Sequence, residues 1–195
     1  VLSSPLQLAV MTARLATGTA VAPRLIKSID GTDLLIGPTP DLNVSTKNLD
    51  ELRKAMYAVS NDRQGTAYRS RIIAEGFRMA GKTGTSQVRN ISEAERRAGV
   101  TANEDLPWKR RDHALFVNFA PYDNPKIAVA VVVEHGGGGS AAAAPIARDI
   151  TLQALYGDTP PLDAYPAKDR DAIAQLQKQI QDMMPDISAS RKDRA

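Results

Sequence analysis

The stretch from Leu115 to Val133 constrains this chain more than any other. Two apolar runs, Leu115 to Ala120 and Ile127 to Val133, flank Pro121-Tyr122-Asp123-Asn124-Pro125, whose prolines and Asx residues mark a turn. Parallel strands need a crossover of about a dozen residues or more, so a turn this short leaves only an antiparallel hairpin. The run Ile127-Ala128-Val129-Ala130-Val131-Val132-Val133 is uncharged, β-branched and free of proline. It reads as a buried, very apolar strand, and as the segment most prone to self-association wherever its edge is left bare.

Upstream, Gly81-Lys82-Thr83-Gly84-Thr85-Ser86-Gln87-Val88 is small and β-branched, which favours a further strand over a helix. On a pleated strand Thr83 and Thr85 share one face and Lys82 leaves the other. Two hydroxyls so placed can donate to one carboxylate. Gly84 permits close approach of a ligand to the backbone, the amide of Thr85 can serve as an oxyanion-hole donor, and Lys82 supplies a positive charge on a flexible stem. A rival reading exists, because Gly76-Phe77-Arg78-Met79-Ala80-Gly81-Lys82-Thr83 matches the phosphate-binding loop Gly-x-x-x-x-Gly-Lys-Thr. That loop needs a helix starting at its Lys-Thr, and Gly84 and Thr85 both disfavour one. Glu134, after the apolar run, imitates a magnesium-binding acid, but the hairpin topology is wrong for a nucleotide hydrolase.

The chain has 195 residues, 43% hydrophobic and 24% charged, which suits one soluble domain or a large piece of one. A net charge of +3 is too small to argue for nucleic acid. Cysteine is absent, which removes disulfides and thiolate metal sites, and no cofactor is expected. No long apolar run spans a bilayer and no signal peptide opens the chain, so any membrane anchor is expected to lie outside it.

Ser4-Pro5 starts a helix that runs through Leu6, Val10, Ala13 and Leu15 to a stop at Gly18, and that helix should be mostly core. Leu25 to Ile29 reads as a short strand or extended arm. Ser45 caps a second helix carrying Leu49, Leu52, Met56 and Val59. Arg89 to Asp112 is long for a loop between paired strands, and Ser92 with Glu95 forms a capping box inside it. Trp108 there reads as a packing anchor rather than a substrate contact. Asp112 and His113 sit at a strand start with opposite side-chain directions, which favours structure over catalysis. The glycines Gly136 to Gly139 read as close passage of the chain before a helix from Ala141 to Tyr156 that ends at Gly157. Pro160, Pro161 and Pro166 then suggest an extended linker, followed by an amphipathic helix bearing Ile173, Leu176, Ile180 and Met183, and a polar tail.

These blocks together resemble the class B penicillin-binding proteins, and within them the penicillin-binding protein 2 group. The likeness rests on Ser4-Pro5-Leu6-Gln7-Leu8-Ala9, Gly65-Thr66-Ala67, Ala80 to Gln87, Asp112 to Val117, Ala120 to Pro125, Glu134 before the glycines, and Ala143-Ala144-Pro145. The resemblance implies a mixed α/β fold of the α+β type, an antiparallel sheet flanked by helices. It implies the carboxylate and oxyanion roles for Lys82, Thr83, Gly84 and Thr85. The family's Ser-x-x-Lys and Ser-x-Asn motifs have no equivalent here, since Ser188 and Lys192 are wrongly spaced in the tail. Residues 1–157 are therefore expected to be the C-terminal part of a transpeptidase domain and 158–195 a linker, helix and tail.

The parent reaction implied is serine acyl transfer from a D-alanyl-D-alanine stem peptide to an amine of another, open to interception by β-lactams, at the periplasmic face of an inner membrane. The partners implied are peptidoglycan stem peptides, β-lactam antibiotics and other cell-wall synthesis proteins. The isolated piece is expected to be inactive and to self-associate through the Ile127 to Val133 strand, whose outer neighbour in that fold comes from the missing N-terminal part. Two alternatives remain: a serine β-lactamase or β-lactam sensor, which share Lys-Thr-Gly, and a non-catalytic interaction module.

Overall fold

The computed structural model describes residues 3–34 and 37–183; the Ser188 to Lys192 stretch and the tail lie outside the described residues. Helix α1 spans Pro5–Thr17, and both halves of a capping box close its start: Gln7 N donates to Ser4 Oγ at 3.3 Å and Ser4 N donates to Gln7 Oε1 at 2.8 Å. Gly18 ends it in the left-handed conformation, with φ of 78°. Strands β1 (Ser28–Ile29) and β2 (Thr32–Asp33) form a two-residue hairpin around Asp30 and Gly31, both at positive φ. Helix α2 spans Thr46–Asn61 under the Ser45 cap, and its Asn61 amide donates to Met79 O at the entry of the next strand.

Strand β3 (Ala80–Ser86) is followed by α3 (Glu93–Ala98), then β4 (His113–Ala120) and β5 (Ile127–Val133). The three strands form one antiparallel sheet in the order β3-β4-β5, with Thr83 opposite Phe116 and Phe116 opposite Val131. The hairpin expected from the short turn is the β4–β5 pair. No helix follows Lys82, which removes the phosphate-loop reading. Helix α4 (Ala144–Tyr156) continues a wider turn over Gly139–Ala143 and stops at Gly157. Helix α5 spans Arg170–Met183.

The sheet is sandwiched between helices. Ala114, Phe116, Ala120 and Val129 face Ala144, Ala147 and Leu152 of α4. Ala80, Phe119 and Ala128 face Ala16 of α1 and Met56 of α2. Gly81 is dictated by this packing, because a Cβ there would lie 2.5 Å from Phe116 Cζ and 2.7 Å from Val117 O. Buried Asn118 takes its place in the apolar strand by donating to Thr151 Oγ1 on α4 at 2.9 Å.

Three expectations need correction. Helix α1 is not mostly core: only Thr12 and Ala16 are buried, whereas Leu6 is 58% and Met11 43% exposed, because one narrow stripe meets the sheet and the rest has no cover among the described residues. Pro160 to Pro166 is not an extended linker. Pro160, Ala164, Tyr165 and Pro166 are buried, and Ala164 O accepts from Ile73 N at 2.8 Å, so the stretch is packed onto the domain before α5 begins. In α3 the capping box is half made. Ser92 Oγ accepts from Glu95 N, but the Glu95 carboxylate turns away to Arg89.

Candidate functional site

Strand β3 is an outer strand of the sheet. Its far edge has no partner strand among the described residues, so its backbone groups on that side are open to an extended ligand. Lys82 and Thr85 are exposed, and Thr83 and Gly84 half-buried. Alternation along the strand sends Thr83 and Thr85 to the α4 face and Lys82 to the other. Lys82 then bends back round the strand, and its ammonium donates to Thr83 O at 2.8 Å. The charge is thus held close to Thr83. A cation, two hydroxyls and an open strand edge within four residues can hold a carboxylate while backbone amides meet an adjoining carbonyl oxygen.

Thr83 Oγ1 lies 3.0 Å from Thr66 Oγ1. Thr66 sits in a loop whose position is over-determined: Ala67 N donates to Val59 O, and a Cβ on Gly65 would come within 2.4 Å of both Ala58 O and Val59 O. Sequence reasoning singled out Gly65-Thr66-Ala67 only as a pattern. The contact spans 17 positions and no local signal announces it.

From below, Gly139 fixes the strand. A Cβ there would lie 2.2 Å from Leu115 O and 2.5 Å from Gly84 O, which is the close passage expected of the glycine run. The excursion between β3 and β4 is tied at both ends. Arg89 grips both Glu95 oxygens, at 2.7 and 2.6 Å, and that bond holds the Glu95 carboxyl down to about 2. Asn103 exchanges hydrogen bonds with Asp112 at the base.

Trp108 is 57% exposed yet its ring is 4.5 Å from that of His135, which in turn is 4.7 Å from His113. His113 Nδ1 accepts from His135 N at 2.9 Å, and Asp112 bonds to Asn103. Asp112 and His113 therefore serve the loop base and form no acid–histidine couple with each other. No hydroxyl–base pair appears on β3 either, since Thr83 meets another hydroxyl. No described helix is long and apolar enough to cross a membrane.

With this geometry established, the comparisons with known proteins decide the family. The penicillin binding protein transpeptidase domain matches residues 1–152. The chain belongs to that transpeptidase family. The peptidoglycan D,D-transpeptidase MrdA of Haemophilus influenzae is 35% identical over 188 residues, covering 91% of this chain and 28% of its own length. The solved penicillin-binding protein 2 of Pseudomonas aeruginosa, in complex with WCK 5153, is 34% identical with a TM-score of 0.61, covering 85% of this chain and 33% of that one. The Helicobacter pylori protein, solved as a complex with MreC, is 32% identical with a TM-score of 0.59, covering 80% of this chain and 25% of that one. This transpeptidase-family chain thus spans about a quarter to a third of these relatives.

Proposed function

We propose that this chain is the substrate-strand part of a peptidoglycan D,D-transpeptidase, and that its parent links stem peptides through an acyl-serine intermediate. The observation that carries the reading is the open edge of β3 with Lys82, Thr83, Gly84 and Thr85 along it, in a chain of this family. Lys82 and the Thr83 hydroxyl bind the terminal carboxylate of a D-alanyl-D-alanine donor or of a β-lactam. The Thr85 amide faces the oxygen that becomes negative when the carbonyl is attacked, and Gly84 lets the peptide backbone lie against the strand.

The nucleophile and its base belong to the Ser-x-x-Lys and Ser-x-Asn motifs of the parent, outside this sequence. The parent is anchored in the inner membrane and works on its periplasmic face, among other cell-wall synthesis proteins; the MreC complex of the Helicobacter pylori relative supports such company. Neither metal nor organic cofactor enters the scheme.

A fluorescent penicillin followed by denaturing electrophoresis tests this. The full-length parent takes up a covalent label and the 195-residue chain alone takes none. A labelled band at the fragment's mass, or an unlabelled parent, overturns the proposal.

A further inference from the structure

A cleft of about 420 Å³ opens beside Thr66, the residue whose hydroxyl meets Thr83. Its walls carry Arg63, Arg69 and Lys168, all exposed, together with Ser140 and Ala141 of the wider turn that precedes α4. Arg63 and Arg69 make no ion pair among the described residues. The one carboxylate in the lining, Asp169, is bonded to buried Arg148 at 2.8 Å, with Lys168 a looser 3.7 Å away. The cleft therefore combines two guanidinium groups free of ion pairs among the described residues with an ammonium only loosely paired to Asp169. Both arginines flank the loop that Gly65 and Ala67 lock onto α2, so their backbone positions beside Thr66 are fixed.

Position then suggests an occupant. On the reading proposed above, Thr83 holds the donor's terminal carboxylate, so the departing D-alanine leaves from the Thr83 side. Attack by the acceptor amine on the acyl-enzyme is that departure run backwards with a different amine, so the acceptor occupies the same side. We propose that the Arg63–Arg69–Lys168 cleft is the anion subsite for the acceptor stem peptide, binding its free C-terminal carboxylate while its side-chain amine reaches the acyl group. In that step the amine nitrogen forms the amide bond to the acyl carbon, the serine oxygen leaves, and the proton lost by the amine goes to the serine. This rests on the transpeptidase reading.

The test uses the full-length parent and two readouts, labelling by a fluorescent penicillin and transfer of a D-alanyl thioester donor to a stem-peptide acceptor. The acceptor is supplied with either a free or an amidated C-terminus. In Arg63→Ala/Arg69→Ala the yield of cross-linked product per acyl-enzyme falls about tenfold with the free-carboxylate acceptor, the size expected for losing charge-assisted bonds. The amidated acceptor is already poor with the wild type and falls no further. Arg96→Ala, an exposed cation outside the cleft, serves as the control and alters neither readout. An unchanged preference for the free carboxylate in the double variant, or an equal loss in labelling and transfer, overturns the subsite. A wild-type parent that takes no penicillin label overturns the transpeptidase reading itself, and the subsite with it.

Discussion

Strands β3 and β5 are both outer strands of one sheet, and they are built for opposite ends. β3 carries Lys82, two threonines and two glycines; Lys82 and Thr85 are exposed and Thr83 and Gly84 half-buried, so its open edge is polar. β5 carries seven aliphatic residues without a charge, half-buried between α1 and α4. The difference teaches that an open edge is a binding surface when its side chains can bear water, and a docking surface for more protein when they cannot. The strand between them, β4, buries Ala114, Phe116 and Asn118 to Ala120, and pairs with every residue of β3 from Ala80 to Ser86.

The sharpest way to break this comparison is to damage the layer both edges share. Phe116→Ala removes a fully buried ring opposite Thr83 and should cost about 3–5 kcal/mol, read as a lowered midpoint in chemical denaturation of the parent. Thr83→Val or Lys82→Ala should do the reverse. Acylation by penicillin falls roughly a hundredfold, about 3 kcal/mol in the transition state, with the denaturation midpoint nearly unmoved. If acylation survives while the midpoint collapses, β3 is a structural strand and the contrast disappears.

For β5 the expected effect is on association. The isolated chain should sediment as a dimer or larger species, and Ala130→Lys or Val131→Lys, one on each face, should shift it towards monomer, with circular dichroism monitoring the fold. A folded wild-type chain that stays monomeric at high concentration removes the distinction between the edges.

The smallest effect concerns the loop that leaves β3. Arg89 lowers the Glu95 carboxyl from 4.5 to about 2, so the folded state favours the ionised form. The stabilisation is complete above the unfolded value near 4.5 and is lost as pH falls towards about 2. Hydrogen exchange of residues 89–101 should therefore stay slow at pH 5 and quicken progressively below 4.5, and Glu95→Gln should remove that pH dependence. An unchanged pH profile in Glu95→Gln counts against the clamp.

Much of this molecule was legible where the cause is local. Ser4, Gln7 and Gly18 mark both ends of α1, Ser45 starts α2, the short proline turn forces the β4–β5 pair, and Thr83 and Thr85 share a face by alternation alone. Leu25 to Ile29, read as a short strand or extended arm, holds the short strand β1, and Asp30-Gly31 was equally readable as the turn that pairs it with β2. Glu95 shows where a local rule loses: its sequence spacing fits a capping box, but an arginine six residues away offers two bonds from a cation in place of one from a neutral backbone amide.

Periodicity, caps and turn chemistry act over a few residues, so the sequence alone determined the main helices and the three strands of the sheet, and which strand bears the Lys-Thr-Gly-Thr pattern. It could not say which faces find cover. Amphipathic spacing is the same for α1 and α4, yet the sheet buries one narrow stripe of α1 and most of the inward face of α4. Only tertiary structure folded the proline stretch onto Ile73, set Thr66 against Thr83, and brought Arg63, Arg69 and Lys168 to one cleft. Those neighbours are separated by up to about a hundred positions, and their meeting depends on how the sheet, α2 and α4 pack rather than on any spacing along the chain.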